Sequence, residues 1–332
     1  MNFELTDDQQ AIQRTARDFL ADAYRPEEVR RLAYEAGGGD DAGWARICEL
    51  GWPALLVDEE HGGLGLGVVE LVVVQEEMGA ALAPAPFLST VAAAALIADA
   101  GSDDQRARWL PALASGAARG TVATVTGDGG WVAVPDAAGA DVVVARAGDG
   151  WALVSGAPVQ AAEALDATRP LFAVAGGGDV EPLPGDGERA RDVMAVALAA
   201  ESVGVARRAM DMAVAYAKER RQFGRPIGAY QAVSHACAQM LLEVEGARST
   251  ALYAAWALDH EPASAPLAAA MAKAYASDAG RRVPAASLQV HGGIGFTWEH
   301  DLHLWLKRGR ANAHQWGDAR AHRARVADLI GL

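Results

Sequence analysis

Apolar residues recur at helical spacing through the first third of the chain. In LTDDQQAIQRTARDFLADAY, Ile12, Ala16, Phe19 and Leu20 share one face of a helix, and Thr6 stands where an N-cap hydroxyl belongs. After a glycine connector at 37–39, Trp44, Ile47, Cys48 and Leu50 face one way again. GWPALLVDEEHGGLGLGVVEL then introduces a turn whose glycines admit positive φ, and further helices are expected over 68–82, 87–99 and 103–114. The helical period stops at Gly120. Short runs (TVATV, WVAVP, DVVVAR, WALV, PLFAVA) alternate there with Gly, Asp and Pro, the pattern of a small antiparallel sheet.

From Arg191 the helical period returns. Val203, Ala206, Met210, Ala213, Val214 and Ala217 make one apolar face, and helices over 228–259, 264–290 and 301–329 complete an antiparallel bundle. The expected fold is mainly α with a small β domain: an N-terminal helical domain over 1–118, an abbreviated β domain over 119–190 and a C-terminal helical bundle over 191–332.

Composition narrows the function classes. The 332 residues are 51% hydrophobic but only 6% aromatic, which suits closely packed helices built from Ala, Val and Leu. A formal charge of −14 argues against sequence-independent nucleic-acid binding, which needs clustered cations to displace counterions. Cys48 and Cys237 form no CxxC pair and have no matching histidine spacing, so buried thiols are expected and neither a disulfide nor a metal site. Residues 1–5 lack a basic, apolar leader and no apolar run reaches membrane-spanning length; a cytoplasmic protein without a membrane anchor is expected. HGGLGLG (61–67) neither follows a strand nor ends in GK[ST], and reads as a structural turn rather than a phosphate loop.

Four segments carry a recognisable pattern: LTDDQQAI, GWPALLVDEEHGGLGLG with EEMGAALAPAPFLST, ERRQFGRPIGAYQAVSH, and LQVHGGIGFTWEHDLHLWLKR. Together, and in this order across nearly the whole chain, they resemble acyl-CoA dehydrogenases. The resemblance implies an N-terminal helical domain, a central β domain and a C-terminal four-helix bundle, with FAD lying between subunits. It also implies α,β-dehydrogenation of an acyl-CoA thioester, an electron-transfer flavoprotein as acceptor, and no nucleic-acid or membrane partner. Alone, an Arg-Arg pair is a solvated helix end; set in this pattern, Arg220 falls beside the FAD pyrophosphate, where a guanidinium makes charge-assisted hydrogen bonds. By the same resemblance Gln222 and Phe223 border the nucleotide, and Gln231 either reaches it or caps a turn. Gln289, Gly292 and Gly293 complete the set, since residues without Cβ let main-chain amides approach a phosphate or adenine. His291 reads as a structural histidine.

The general base is missing. The family supplies a glutamate from one of two places, and alignment on the motifs puts Gly317 at one and Met194 at the other. Asp318 is a weak candidate: it is one methylene shorter than Glu and about 100° further round a helix, and a capping role competes. Asp192 and Glu201 lie near the second place but read as solvated charges at a domain boundary. The acidic, glycine-rich loop at 127–130 departs from the family's flavin-ring loop, although Thr126 and Gly127 retain a hydroxyl and an amide.

The losses fall at the flavin and substrate end, and the retained motifs at the adenosine and pyrophosphate end. That distribution is similar to the short, base-lacking subunits of heterotetrameric actinobacterial acyl-CoA dehydrogenases of steroid side-chain degradation. It implies a longer, base-bearing partner in an α2β2 assembly. Two other readings stay open: a self-sufficient homo-oligomer with Asp318 as base, and a non-redox structural or regulatory module.

Overall fold

The computed structural model describes residues 4–332. The first three residues, part of the stretch read above for a leader, lie outside the described residues.

The chain opens with α1 (Asp7–Ala23), where the Thr6 hydroxyl accepts from the Gln9 amide and the Gln9 side chain accepts from the Thr6 amide, satisfying two otherwise orphaned donors. Short helices α2 (Pro26–Tyr34) and α3 (Asp41–Glu49) follow. Trp44 and Ile47 are buried as expected, but Leu50 is exposed because it lies beyond the last turn of α3. After the glycine turn come α4 (Val68–Ala81), α5 (Phe87–Ala100) and α6 (Asp103–Ser115).

The strand region holds β1 (Gly120–Ala123), β2 (Val125–Gly127), β3 (Gly130–Pro135), β4 (Val142–Ala147), β5 (Gly150–Ser155), β6 (Val159–Ala162), β7 (Leu171–Ala175) and β8 (Asp179–Pro182). They form two four-stranded sheets, ordered β1-β4-β5-β8 and β2-β3-β7-β6. Pairing is antiparallel except between β1 and β4, which run parallel; the expected sheet is therefore two sheets with one parallel pair. Ala123, Val143, Ala145 and Val154 from one sheet bury against Val134 and Val174 from the other, so the core lies between them. The 127–130 loop is a tight hairpin turn: Gly127 pairs with Gly130, and Gly129 takes φ +79°.

The helical remainder begins with α7 (Glu188–Glu219), passes through the two-residue strands β9 (Arg221–Gln222) and β10 (Arg225–Pro226), and continues with α8 (Gln231–His260) and α9 (Ala265–His291). The segment expected as one helix over 301–329 is two, α10 (Leu302–Asn312) and α11 (Ala319–Leu329), because Trp316 and Gly317 adopt φ +56° and +93° and break the ladder. Contacts divide the chain into two compact units, one of Met1–Glu27, Val72–Ala83 and Ala195–Leu332, the other of Glu28–Leu71 and Pro84–Met194.

Within the first unit, α8 and α9 pack antiparallel, with Arg282 Nε donating to Glu243 at 2.9 Å. Two sets of ion pairs on buried carboxylates cross-link the helices. Arg17 and Arg207 reach Glu77 at 2.7 and 2.8 Å, while Arg207 and Arg248 reach Glu76 at 3.2 and 3.1 Å. Burial would raise the Glu77 pKa, but its two arginines outweigh burial and hold it below the ordinary carboxylate value. Deeper still, Arg308 donates to Glu201 at 2.7 Å and Asn312 to the other Glu201 oxygen at 3.0 Å, all three side chains being buried. The expectation of solvated charges at Asp192 and Glu201 is thus corrected, since both are buried. Cys48 and Cys237 are only partly buried rather than fully so, and burial pushes both thiols above the ordinary cysteine value.

Candidate cofactor site

The end of α7 places Arg220 immediately before a hairpin. β9 and β10 pair antiparallel through Gln222 and Arg225, leaving Phe223 and Gly224 as the two turn residues with φ +50° and +81°. Two consecutive positive φ values define the mirror-image turn that fits strand twist; Gly224 adopts it without strain and Phe223 does so at a cost. The turn is held from outside. Tyr230 donates its hydroxyl to the Gln222 carbonyl at 3.1 Å, the Arg225 guanidinium lies 4.1 Å from the Tyr230 ring centroid, and Phe223 meets the same ring edge-on at 6.5 Å. Phe223 is left 92% exposed. Arg220 and Gln222 are exposed too, as is Gln231 at the first position of α8.

The second segment follows α9. Gly292 ends that helix at φ +62° and opens a 3-10 turn through Phe296, and Gly293 is exposed; a Cβ on either glycine would meet nothing within 4 Å. Gln289 is exposed one turn earlier, and Phe296 and Trp298 are 73% and 64% exposed. His291 is buried. Its Nδ1 lies 2.8 Å from the Ser287 carbonyl, and its ring stacks on Tyr216 at 4.7 Å and meets His300 at 4.5 Å. Burial, reinforced by His291, holds the His300 pKa below the ordinary histidine value.

The Tyr216–His291 stack brings the two nucleotide segments to one end of the bundle, and Tyr216 lies one helical turn before Arg220. Sequence reasoning passed over Tyr216, Arg225 and Tyr230; their signal was spacing, four residues before Arg220 and five and ten after it. The donor set suits half of a dinucleotide site. It contains a guanidinium without an ion pair among the described residues, amide side chains, and glycine backbone open to close approach, beside exposed aromatic faces.

The positions expected for a base hold none. Met194 is fully buried in α7. Gly317 lies in the α10–α11 turn, where its carbonyl accepts from the buried Lys273 ammonium at 3.1 Å. Lys273 also donates to Ser277 Oγ at 2.8 Å and the Asn312 carbonyl at 3.1 Å, and burial pulls its pKa down to about 7. Asp318 is the N-cap of α11, its carboxylate accepting from the Ala321 amide at 2.8 Å, and that bond holds its pKa below the ordinary value. Among the described residues no His/Cys/Asp/Glu group could hold a metal ion, and no helix is long and apolar enough to cross a membrane.

A helical chain interrupted by a small β region, with Arg220, Gln222 and Phe223 exposed at one end of its bundle, is the architecture the sequence led us to expect. The acyl-CoA dehydrogenase N-terminal domain model matches residues 6–117 and the acyl-CoA dehydrogenase C-terminal domain model matches 189–330. The chain belongs to the acyl-CoA dehydrogenase family, FAD-dependent oxidoreductases of acyl-CoA thioesters. It is 33% identical to the acyl-CoA dehydrogenase IpdE2 of Mycolicibacterium smegmatis over 97% of this chain and 98% of that one. Among solved structures it is similar to a Tcur3481-Tcur3483 steroid ACAD variant, with 30% identity, 98% of each chain covered and a TM-score of 0.87. It is also similar to the ChsE4-ChsE5 complex from Mycobacterium tuberculosis, with 26% identity, 100% and 99% covered and a TM-score of 0.90.

Proposed function

We propose that this chain is the shorter subunit of a two-component acyl-CoA dehydrogenase and completes an FAD site whose flavin ring and base belong to a longer subunit. The observation that carries the reading is a contrast. The nucleotide-type end is preserved and lies in solvent, with Phe223 92% exposed, while Gly317 and Met194 stand where a glutamate base would be. Two of the similar structures carry paired names, ChsE4-ChsE5 and Tcur3481-Tcur3483, which supports a heteromer. So does the apolar surface of α8 and α9, where Leu241, Leu242, Met271 and Tyr275 are exposed.

In this reading Arg220 holds the FAD pyrophosphate, Gln222, Phe223 and Gln231 border the nucleotide, and Gln289 with the Gly292 and Gly293 amides lines its other side. In α,β-dehydrogenation a carboxylate takes the α proton and bound FAD accepts the β hydride. With Asp318 engaged in a helix cap, the carboxylate comes from the partner. The substrate class is a steroid side-chain acyl-CoA, the assembly α2β2, and the acceptor an electron-transfer flavoprotein. The reading divides the chain at 118 and 190 into the three parts given above and carries a cytoplasmic location with it.

Purification alone and together with a longer homologue tests the proposal. Little flavin in the lone chain and one FAD per heterodimer are expected. Full flavin occupancy with acyl-CoA turnover by this chain alone overturns it in favour of a self-sufficient homo-oligomer.

A further inference from the structure

The stretch 292–301 links α9 to α10 and carries Gly292 and Gly293. It is stitched along its length. Thr297 donates from its amide and its hydroxyl to the Ile294 carbonyl at 3.1 and 2.8 Å, and the His300 amide donates to the Thr297 carbonyl at 3.4 Å. Gly295 lies so close beneath the end of α9 that a Cβ there would come to 3.0 Å from the His291 Cβ.

One side chain joins the two ends of this loop. At the entry, the His300 ring meets the His291 ring at 4.5 Å between centroids; at the exit, its Nδ1 accepts from the Leu302 amide at 3.1 Å. Leu302 is the first residue of α10, so its amide has no acceptor within the helix, and the preceding Asp301 makes no side-chain cap. His300 takes the capping role instead. His291 is fixed from behind, its Nδ1 donating to the Ser287 carbonyl at 2.8 Å and its ring stacked on Tyr216.

An imidazole nitrogen that accepts a hydrogen bond carries no proton. The Leu302 bond therefore fixes His300 as the neutral ring with its hydrogen on Nε2. A second proton can go only to Nδ1, where it removes the acceptor and sets a cation against His291. Among the described residues, the titratable groups that face His300 are His291 on α9 and Asp301 beside it, with Tyr216 of α7 behind His291. Burial and His291 disfavour the cation and Asp301 favours it, and the balance holds the His300 pKa below the ordinary histidine value of 6.5.

We infer that His300 is a positioning residue for the nucleotide: its neutral ring clasps the loop so that the Gly292 and Gly293 amides stay in place, and a proton on Nδ1 opens the clasp. The inference rests on the FAD reading of this segment. It makes the hold on FAD weaken as the medium turns mildly acidic.

The FAD dissociation constant of the assembled complex, read from flavin fluorescence at about pH 8 and about pH 5.5, tests it in the unaltered chain, His300→Asn and His300→Phe. Asparagine carries an acceptor oxygen as many bonds from the backbone as Nδ1 and does not titrate; phenylalanine keeps a ring against His291 and has no acceptor. The unaltered complex should bind FAD about fivefold more weakly at the lower pH, the loss that corresponds to a helix cap. His300→Asn should lose that dependence on pH, and His300→Phe should bind about fivefold more weakly at both values. An affinity that does not move with pH in the unaltered complex, or moves equally in His300→Asn, overturns the inference.

The isotope-labelled chain by itself gives a measurement that needs neither variant nor flavin. Protection of the Leu302 amide against solvent exchange, relative to its intrinsic rate, should fall over the same interval; equal protection at both pH values also overturns the inference. Arg220→Ala separates this failure from failure of the FAD reading. Weaker FAD binding in Arg220→Ala with both His300 variants unchanged strikes only the role of His300, whereas affinity untouched by all three substitutions strikes both.

Discussion

The Tyr216 ring stacks on the His291 ring, 4.7 Å between centroids and 26° between planes, and so ties the last turn of α7 to the last residue of α9. Each helix ends in one of the segments assigned to the nucleotide. The stack therefore makes one rigid edge out of two stretches about seventy residues apart in sequence, and a site built on helix ends holds its groups more closely than one built on loops.

Arg220→Ala should lower FAD retention in the assembled complex by about tenfold or more, the loss expected when a hydrogen-bonded charged partner is removed. Arg220→Lys should recover only part of it, because an ammonium lacks the planar fork. The flavin-to-protein ratio after gel filtration reads the effect. Equal retention by the alanine variant would remove Arg220 from the site.

Asp318→Ala should lower stability measurably through loss of the α11 cap, and Asp318→Asn hardly at all, since asparagine caps equally well. Neither should slow bleaching of the flavin by acyl-CoA in the heteromer. A collapse of the reductive rate in the asparagine variant would make Asp318 the base.

Glu201→Gln should destabilise the chain by about 3–5 kcal/mol, because it removes the carboxylate charge that Arg308 meets at 2.7 Å in a buried setting. Replacing both partners together, Glu201→Leu with Arg308→Met, should cost markedly less. Urea unfolding distinguishes the two; a double variant as damaged as the single one would mean that packing, rather than charge pairing, dominates there.

Lys273 predicts a pH dependence. In the unfolded chain its amine keeps a proton to about the ordinary 10.5, whereas in the folded chain burial pulls the pKa down to about 7. Between these values the unfolded state binds more protons, so stability rises with pH across that window. At about 1.4 kcal/mol per unit the upper limit of the rise is about 5 kcal/mol. Stability measured from pH 6 to 10 should show this component in the unaltered chain and lose it in Lys273→Met. Parallel curves for the two proteins would refute it.

Much of the fold was legible because α-helical periodicity is a local signal: α1, α4, α5, α6, α8 and α9 lie within a few residues of their expected spans. β6 and β8 were passed over, since all eight of their residues are exposed and carry no apolar alternation. The break at Gly317 was half legible: Asp318 stood as a possible helix cap, which it is, while the positive φ of Trp316 and Gly317 that separates α10 from α11 left no apolar signal of its own. Glu201 looked like a surface charge because its partner Arg308 lies 107 residues away, a separation at which composition says nothing. In the candidate cofactor site the motifs pointed to Arg220 and Gly292, but not to the Tyr230 prop beneath the hairpin or the stack beneath the glycines, which exist only once distant turns meet.

The mirror-image turn that lifts Phe223 into water has a cellular consequence. With Phe223, Phe296 and Trp298 all largely uncovered, the chain presents the greasy surface that chaperones and proteases survey, so anything that covers these three rings would lengthen its life in a cell.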